Sequence, residues 1–146
     1  MTKPDQLDYA IKNLQVKSNL AAEEEFPLSN LTDLRLGSEW VTSEKLDADH
    51  PLELTFTFDN LYKLSRMVYI PRSRDHKGHL LRVQYAISKD GEHFEDFSKE
   101  FNWPNDAKNK VIGMRDLSAK AVKLRILLTT DGYASAKEIF FFTAKD

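Results

Sequence analysis

Pro51-Leu-Glu-Leu-Thr-Phe-Thr-Phe58 alternates without a break. Leu52, Leu54, Phe56 and Phe58 fall on one face, and Glu53, Thr55 and Thr57 on the other. A period of two with β-branched and aromatic residues is the signature of a strand that buries one face. The pattern recurs downstream. Leu81, Val83, Tyr85 and Ile87 alternate, and Asp90-Gly91 follows as a hairpin turn; Phe94 is then expected to open the next strand. Val122, Leu124, Ile126 and Leu128 alternate against Lys123 and Arg125. Residues 64–70 form a further strand stopped by Pro71, and 139–142 is an apolar run suited to a buried last strand. No segment carries a helical period of ordinary length. Leu7, Ala10, Ile11 and Leu14, spaced i, i+3, i+4 and i+7, would suit two helical turns inside a polar N-terminal extension (1–13). Short strands joined by polar turns specify an all-β domain, a sandwich or barrel spanning 1–146.

Composition bounds the chemistry. The chain has 146 residues, enough for one domain and one core. Lys plus Arg is 21 against 23 Asp plus Glu, a net charge of −2, so the basic footprint of a nucleic-acid binder is absent. Cysteine is absent, which excludes disulfides, thiolate metal sites and Cys nucleophiles. No stretch approaches the ~20 apolar residues of a membrane-spanning helix, so membrane insertion is not expected. The polar start has no apolar signal core; it fits a cytosolic protein or a mature or excised piece of a larger chain.

Catalytic motifs are missing. There is no Gly-rich phosphate loop, no GxSxG elbow and no HExxH. His76 and His79 flank a loop glycine without a third ligand. The acidic residues Glu23, Glu24, Glu25, Glu95 and Asp96 sit in charge runs, which read as solvated faces rather than as the paired carboxylates of a glycosidase.

The loops are more informative. Segments 22–43, 72–78 and 103–110 are long for connections, and long loops on a rigid sheet are where binding residues gather. Lys63, Arg66, Arg72, Arg74, Lys77 and Arg82 fall in a stretch with one acid, Asp75. Arg66 and Arg82 read as exposed strand-face residues. Arg72 and Arg74 open a loop just past a strand end, where guanidinium groups contact carboxylates, phosphates or hydroxyls. Trp40, which begins an apolar pair with Val41, reads as a core plug. Trp103 and Tyr133 sit at edges, where a flat ring either packs inward or stacks on a sugar.

Four stretches, in order, resemble one family. Asp33-Leu-Arg-Leu-Gly-Ser38-Glu-Trp40 resembles an Asp-Gly-x-x-x-Thr-x-Trp turn. Pro51-Leu-Glu-Leu-Thr-Phe-Thr-Phe58-Asp59 resembles a Pro-x-x-x-x-x-Asp-Leu-Gly strand. Tyr69-Ile-Pro-Arg72, followed by Val83-Gln-Tyr-Ala-Ile-Ser-Lys-Asp-Gly91 and Phe94, resembles a Tyr-x-Pro-Arg … Tyr-x-Ile-x-x-Ser-x-Asp-Gly-x-x-Trp core. Tyr133-Ala-Ser-Ala-Lys-Glu138-Ile139 resembles a Phe-Ala-Ser-Ala-Ala-Glu-Ile ending. Together they resemble the F5/8 type C (discoidin-like) family, and within it the family 32 carbohydrate-binding modules of bacterial glycan-degrading enzymes.

The resemblance implies a jelly-roll β-sandwich of the galactose-binding-domain-like kind that binds a glycan and does no chemistry. It implies a secreted, periplasmic or cell-surface setting and a catalytic domain elsewhere in a parent chain. It implies a structural calcium held by Asp33, Ser38 and Glu138 with main-chain carbonyls between them; Leu34 stands where the family has the Gly that curls this turn. The sugar site it implies lies in loops at one end: Arg72, Arg74, His76 and Lys77 as hydrogen-bonding groups, Tyr133 as the stacking ring, with Trp103 and His50 as further candidates. Asp75, His76 and Lys77 fill the loop where the family places an Asn, and three basic residues there would suit an acidic glycan. Three rival readings remain: a structural or protein-docking module of the same fold, a small hydrolase, and a phosphate or lipid-headgroup binder.

Overall fold

The computed structural model describes residues 8–35, 37–72 and 78–144. The alternating stretch opens one long strand, β4 (Leu52–Ile70), which alternates buried and half-buried positions from Leu52 to Phe58 and then continues past Asp59 and Asn60. The strand expected over 64–70 is therefore the second half of β4 rather than an element of its own. The antiparallel partner of β4 along most of its length is β7 (Lys110–Thr129), nearly equal in length.

Register shifts between Thr57 and Tyr62 and between Leu64 and Arg66 break this ladder. Arg115 and Asp116 in β7 adopt positive φ, 51° and 60°. Bulges and left-handed residues bend strands, and the two strands fold over at this point. Their outer halves, 52–57 and 121–126, pair with β2 (Leu14–Ser18) on one side and β5 (Leu80–Ser88) on the other, with β6 (Phe101–Asn102) at the edge. Their inner halves pair with each other and with β9 (Glu138–Ala144), which carries β1 (Asp8–Ala10). A short pair, β3 (Trp40–Val41) with β8 (Ser135–Ala136), closes one end.

The two halves face each other as the layers of a β-sandwich. Phe56 and Phe58 from one layer meet Phe141 of the other at ring-centroid distances of 4.9 and 5.4 Å. Leu52, Leu54, Val83, Leu124 and Ile126 complete the core with Met67, Tyr69, Ile112 and Met114. Trp40 is fully buried in it, as its place beside Val41 suggested. Among the described residues no helix is long and apolar enough to cross a membrane.

Three local expectations are corrected. Residues Asp8–Ala10 form a strand, β1, not helical turns. Asp8, Tyr9 and Ala10 pair with Ala144, Thr143 and Phe142, and the Ile11 amide donates to the Phe141 carbonyl at 2.8 Å. An open edge of β9 offers ladder bonds that two isolated helical turns cannot match, so the sandwich starts by residue 8 and buries Ile11. Leu7 lies outside the described residues.

Phe94 opens no strand. Residues 92–100 cross the outer face of β7 and β5, tied by Glu95 N–H to the Ile87 carbonyl and Ser98 N–H to the Tyr85 carbonyl. The segment is held by rings under cations, Lys123 above Phe94 at 4.5 Å and Arg125 above Phe97 at 3.7 Å.

The closing run 139–142 alternates instead of being buried throughout. Ile139 and Phe141 point into the core, while Phe140 and Phe142 are half-buried. Arg66, expected to be merely exposed, lies 4.0 Å from the Phe142 ring.

The bend fixes where a site can form. Leu52 pairs with Ile126 and Ile70 pairs with Glu138, so both ends of β4 and the end of β7 deliver their loops to one end of the sandwich.

Candidate functional site

At that end lies a cleft of about 170 Å³ lined by Glu23, Val41, Thr42, Arg72, Gly78, Asp131 and Tyr133. Arg72 follows Pro71 off the end of β4. Its Nε donates to Glu39 Oε1 at 3.0 Å, with the two side chains 15% and 9% exposed. The ion pair is thus largely out of water, and the Phe26 ring lies 5.4 Å from the guanidinium. Glu39 takes the Nε–H and leaves the Nη groups as donors.

His79, one residue before β5, is buried and locks the Arg72 main chain. Its Nε2 lies 2.7 Å from the Arg72 carbonyl, and its Nδ1 lies 3.2 Å from Asn105 Oδ1.

The opposite wall is an Asp-Gly turn. Asp131 Oδ1 accepts the amides of Gly78 and Tyr133, both at 3.1 Å, which leaves its second oxygen for a ligand. Gly132 has φ 89°, and its carbonyl accepts the Leu46 amide at 2.9 Å. Tyr133 is half-buried, with Lys45 Nζ 5.4 Å from its ring centroid. Gly78 is irreplaceable for two reasons. Its φ is +75°, and a Cβ there would sit 2.6 Å from Ser135 Oγ and 2.9 Å from Ser135 Cβ. Gly78→Ala should lower stability by about 2 kcal/mol, measured as a shift in the urea midpoint; an unchanged midpoint would show that the cleft wall yields freely.

Of the residues singled out from the sequence, Arg72 and Tyr133 come together here. Arg74, His76 and Lys77 lie outside the described residues. Trp103 packs away from the cleft, stacked on Tyr69 at 5.6 Å and 6° between planes. His50 is an exposed loop residue whose ring meets Asp47 at 3.2 Å; it does not line the cleft. Asp131 and Thr42 were not anticipated, and Glu23, read from the sequence as part of a solvated face, lines the cleft. The Asp131-Gly132 pair before Tyr133 is a turn signal that could have pointed to Asp131.

Asp33, Leu34 and Ser38 lie beside Glu138 at the start of β9. Leu34 takes φ 65°, so the chain curls at the glycine position even though leucine is strained there. Its amide donates to Glu138 Oε2 at 3.0 Å. Ser38 Oγ donates to Asp33 Oδ2 at 2.6 Å. Glu138 is fully buried, its Oε1 has no partner, and burial followed by the nearby Asp33 carboxylate pushes its carboxyl up to about 8. A buried, unpartnered carboxylate oxygen beside another carboxylate and a hydroxyl is an all-oxygen donor set of the kind that suits calcium. Among the described residues no three acidic or imidazole side chains converge, so an ion here would draw further ligands from main-chain carbonyls.

Comparison with known proteins places the fold. A family model described as the F5/8 type C domain matches residues 13–139. A curated relative, the A type blood N-acetyl-alpha-D-galactosamine deacetylase of Flavonifractor plautii, is 28% identical over 116 residues; the match covers 79% of this chain and 15% of that protein. Among solved structures, CpGH89CBM32-5 from Clostridium perfringens, in complex with GalNAc-β-1,3-galactose, superposes with a TM-score of 0.83 at 24% identity. That superposition covers 92% of this chain and all of the other. The family 32 CBM of C. perfringens NanJ, in complex with galactose, gives 0.81 at 20% identity over 93% and 99% of the two chains.

Proposed function

The chain belongs to the F5/8 type C domain family, and from that footing we propose that it is a non-catalytic carbohydrate-binding module whose ligand sits between Arg72 and Tyr133. The observation that carries this reading is the meeting of those two side chains, from loops far apart in sequence, across one cleft. Arg72 donates through Nη to sugar hydroxyls, Asp131 accepts through its free oxygen, and Tyr133 offers a ring face to the apolar side of the sugar. His79 holds Arg72 in place through its carbonyl.

The charge balance of the described walls favours a neutral sugar over the acidic glycan that the basic loop suggested. The Arg72 cation is neutralised by Glu39, and Glu23 and Asp131 add negative charge. The module works as an accessory domain of a larger, extracellular glycan-active enzyme, in keeping with its match to a fraction of the deacetylase. It carries a structural calcium at Asp33, Ser38 and Glu138. When bound, the ion would neutralise the paired carboxylates and fix the 33–38 turn.

The test is an array of neutral and acidic glycans probed with the isolated chain. A defined class of neutral sugar should be retained. Tyr133→Ala should weaken that binding at least about tenfold, the loss expected of a central aromatic contact, with an unchanged thermal melt. Silence of the folded protein across the array would instead favour a structural or docking module.

A further inference from the structure

The far end of the sandwich, where β4 and β7 bend, presents a second surface with a different chemistry. Leu61 and Ile70 are nine residues apart on β4, a span of about 30 Å, so this surface is remote from Arg72. An open cleft of about 410 Å³ there is lined by Tyr9, Asn60, Leu61, Tyr62, Lys63 and Ser118, with Thr143 at its base. A second, of about 470 Å³, begins at Asp59 and includes Lys12, Asn13 and Gln15. The Tyr62 hydroxyl donates to Asp59 Oδ1 at 2.7 Å, joining the two.

Several features point to a ligand. Tyr9 and Leu61 are 51% and 52% exposed and line the same cleft, so together they offer a ligand an apolar face. Lys12 and Lys63 have no acidic partner among the described residues. Among the described residues the carboxylate that lines either cleft is Asp59, which accepts the Tyr62 hydroxyl. Asn60 accepts the Leu61 amide through Oδ1 at 2.8 Å, which leaves its Nδ2 as a free donor. The bend itself holds strain, since Arg115 and Asp116 sit at positive φ just before Leu117 and Ser118.

We propose that this end is a second glycan-binding surface, which takes an anionic polysaccharide, carboxylated or sulfated, laid across both clefts. Sugar faces pack on Tyr9 and Leu61, the anionic groups pair with Lys63 and Lys12, and the amides of Asn60, Asn13 and Gln15 bind hydroxyls. Two open clefts in series suit a chain rather than a single sugar. Sites at opposite ends would let one module bridge neighbouring chains and gain avidity.

Affinity electrophoresis of the whole chain tests this, in gels holding polygalacturonate, chondroitin sulfate or neutral galactan, each referred to a blank gel. The wild type should be retarded in at least one anionic gel, and which one distinguishes carboxylate from sulfate recognition. The effect should fade with added salt. Lys12→Gln/Lys63→Gln, at two exposed positions, should weaken the apparent affinity about tenfold. Tyr9→Ala, which leaves the charge unchanged, should weaken it in the same direction, and Tyr133→Ala should leave it intact. The proposal is overturned if the wild type is not retarded in either anionic gel, if the double lysine variant behaves as wild type, or if Tyr133→Ala removes the anionic binding. Failure of the Arg72–Tyr133 cleft would show separately, as loss of neutral-glycan binding.

Discussion

Arg72→Ala should lower the unfolding free energy by about 3–5 kcal/mol, whatever it does to glycan binding. The reason is Glu39. Its side chain is 9% exposed and its recorded side-chain partner is the Arg72 guanidinium at 3.0 Å. Removing the arginine leaves a largely buried charge without its partner and also removes the cation from beside Phe26. Replacing both members with apolar residues, as in Arg72→Leu/Glu39→Leu, should recover most of that loss, because the cost lies in the unpaired charge rather than in the missing bridge. Urea unfolding of the two variants checks the expectation. A single variant as stable as the wild type would show that the pair is hydrated and weak. The consequence for binding work is direct. Lost binding in Arg72→Ala alone would mix a missing donor with a loosened loop. The double variant separates them, since it restores the fold without restoring the Nη groups.

The same pair shows what was legible in the sequence and what was not. Arg72 was marked by its position after Tyr69-Ile-Pro, a strand end opening into a loop. Its electrostatic state was not marked, because Glu39 is remote in sequence and reaches it only through the β3–β8 closure. The reading of a basic, acid-seeking loop therefore counted a cation that the fold had already neutralised. Strand identity was legible wherever one face is buried, as in 52–58, because period-two patterning reports burial. It failed at Asp59-Asn60-Leu61, where β4 turns between layers and has no core to face, so one strand read as two. The spacing of Leu7, Ala10, Ile11 and Leu14 suggested a helix because Ile11 does face the core. The bond that decides the matter, Ile11 to Phe141, is a long-range ladder contact that local spacing does not encode. Leu34 takes a positive φ, which a leucine does not favour, so the backbone at this position was not legible in the residue itself.

Glu138 should make the stability of this domain depend on calcium and pH in opposite senses. Without metal, burial and the Asp33 carboxylate raise its carboxyl from an ordinary value of 4.5 to about 8. Below about pH 4.5 the group is protonated in both the folded and the unfolded chain, and its favourable contribution is fully present. Between 4.5 and 8 the unfolded chain ionises while the folded one holds its proton. Stability then falls by an amount on the order of a few kcal/mol and levels off above pH 8. Calcium reverses the preference, since it binds the ionised form. The gain in melting temperature on adding calcium should therefore be larger at pH 8 than at pH 5. Glu138→Gln removes the titration while keeping the shape and the acceptor for the Leu34 amide. In chelator it should be more stable than the wild type at pH 8, with little difference at pH 4.5, and calcium should not raise its melt. Thermal melts of both proteins across this range, with calcium and with chelator, decide the matter. If the wild-type melt does not respond to calcium at either pH, the ion is not part of this turn, and Glu138 serves only to cap the Leu34 amide.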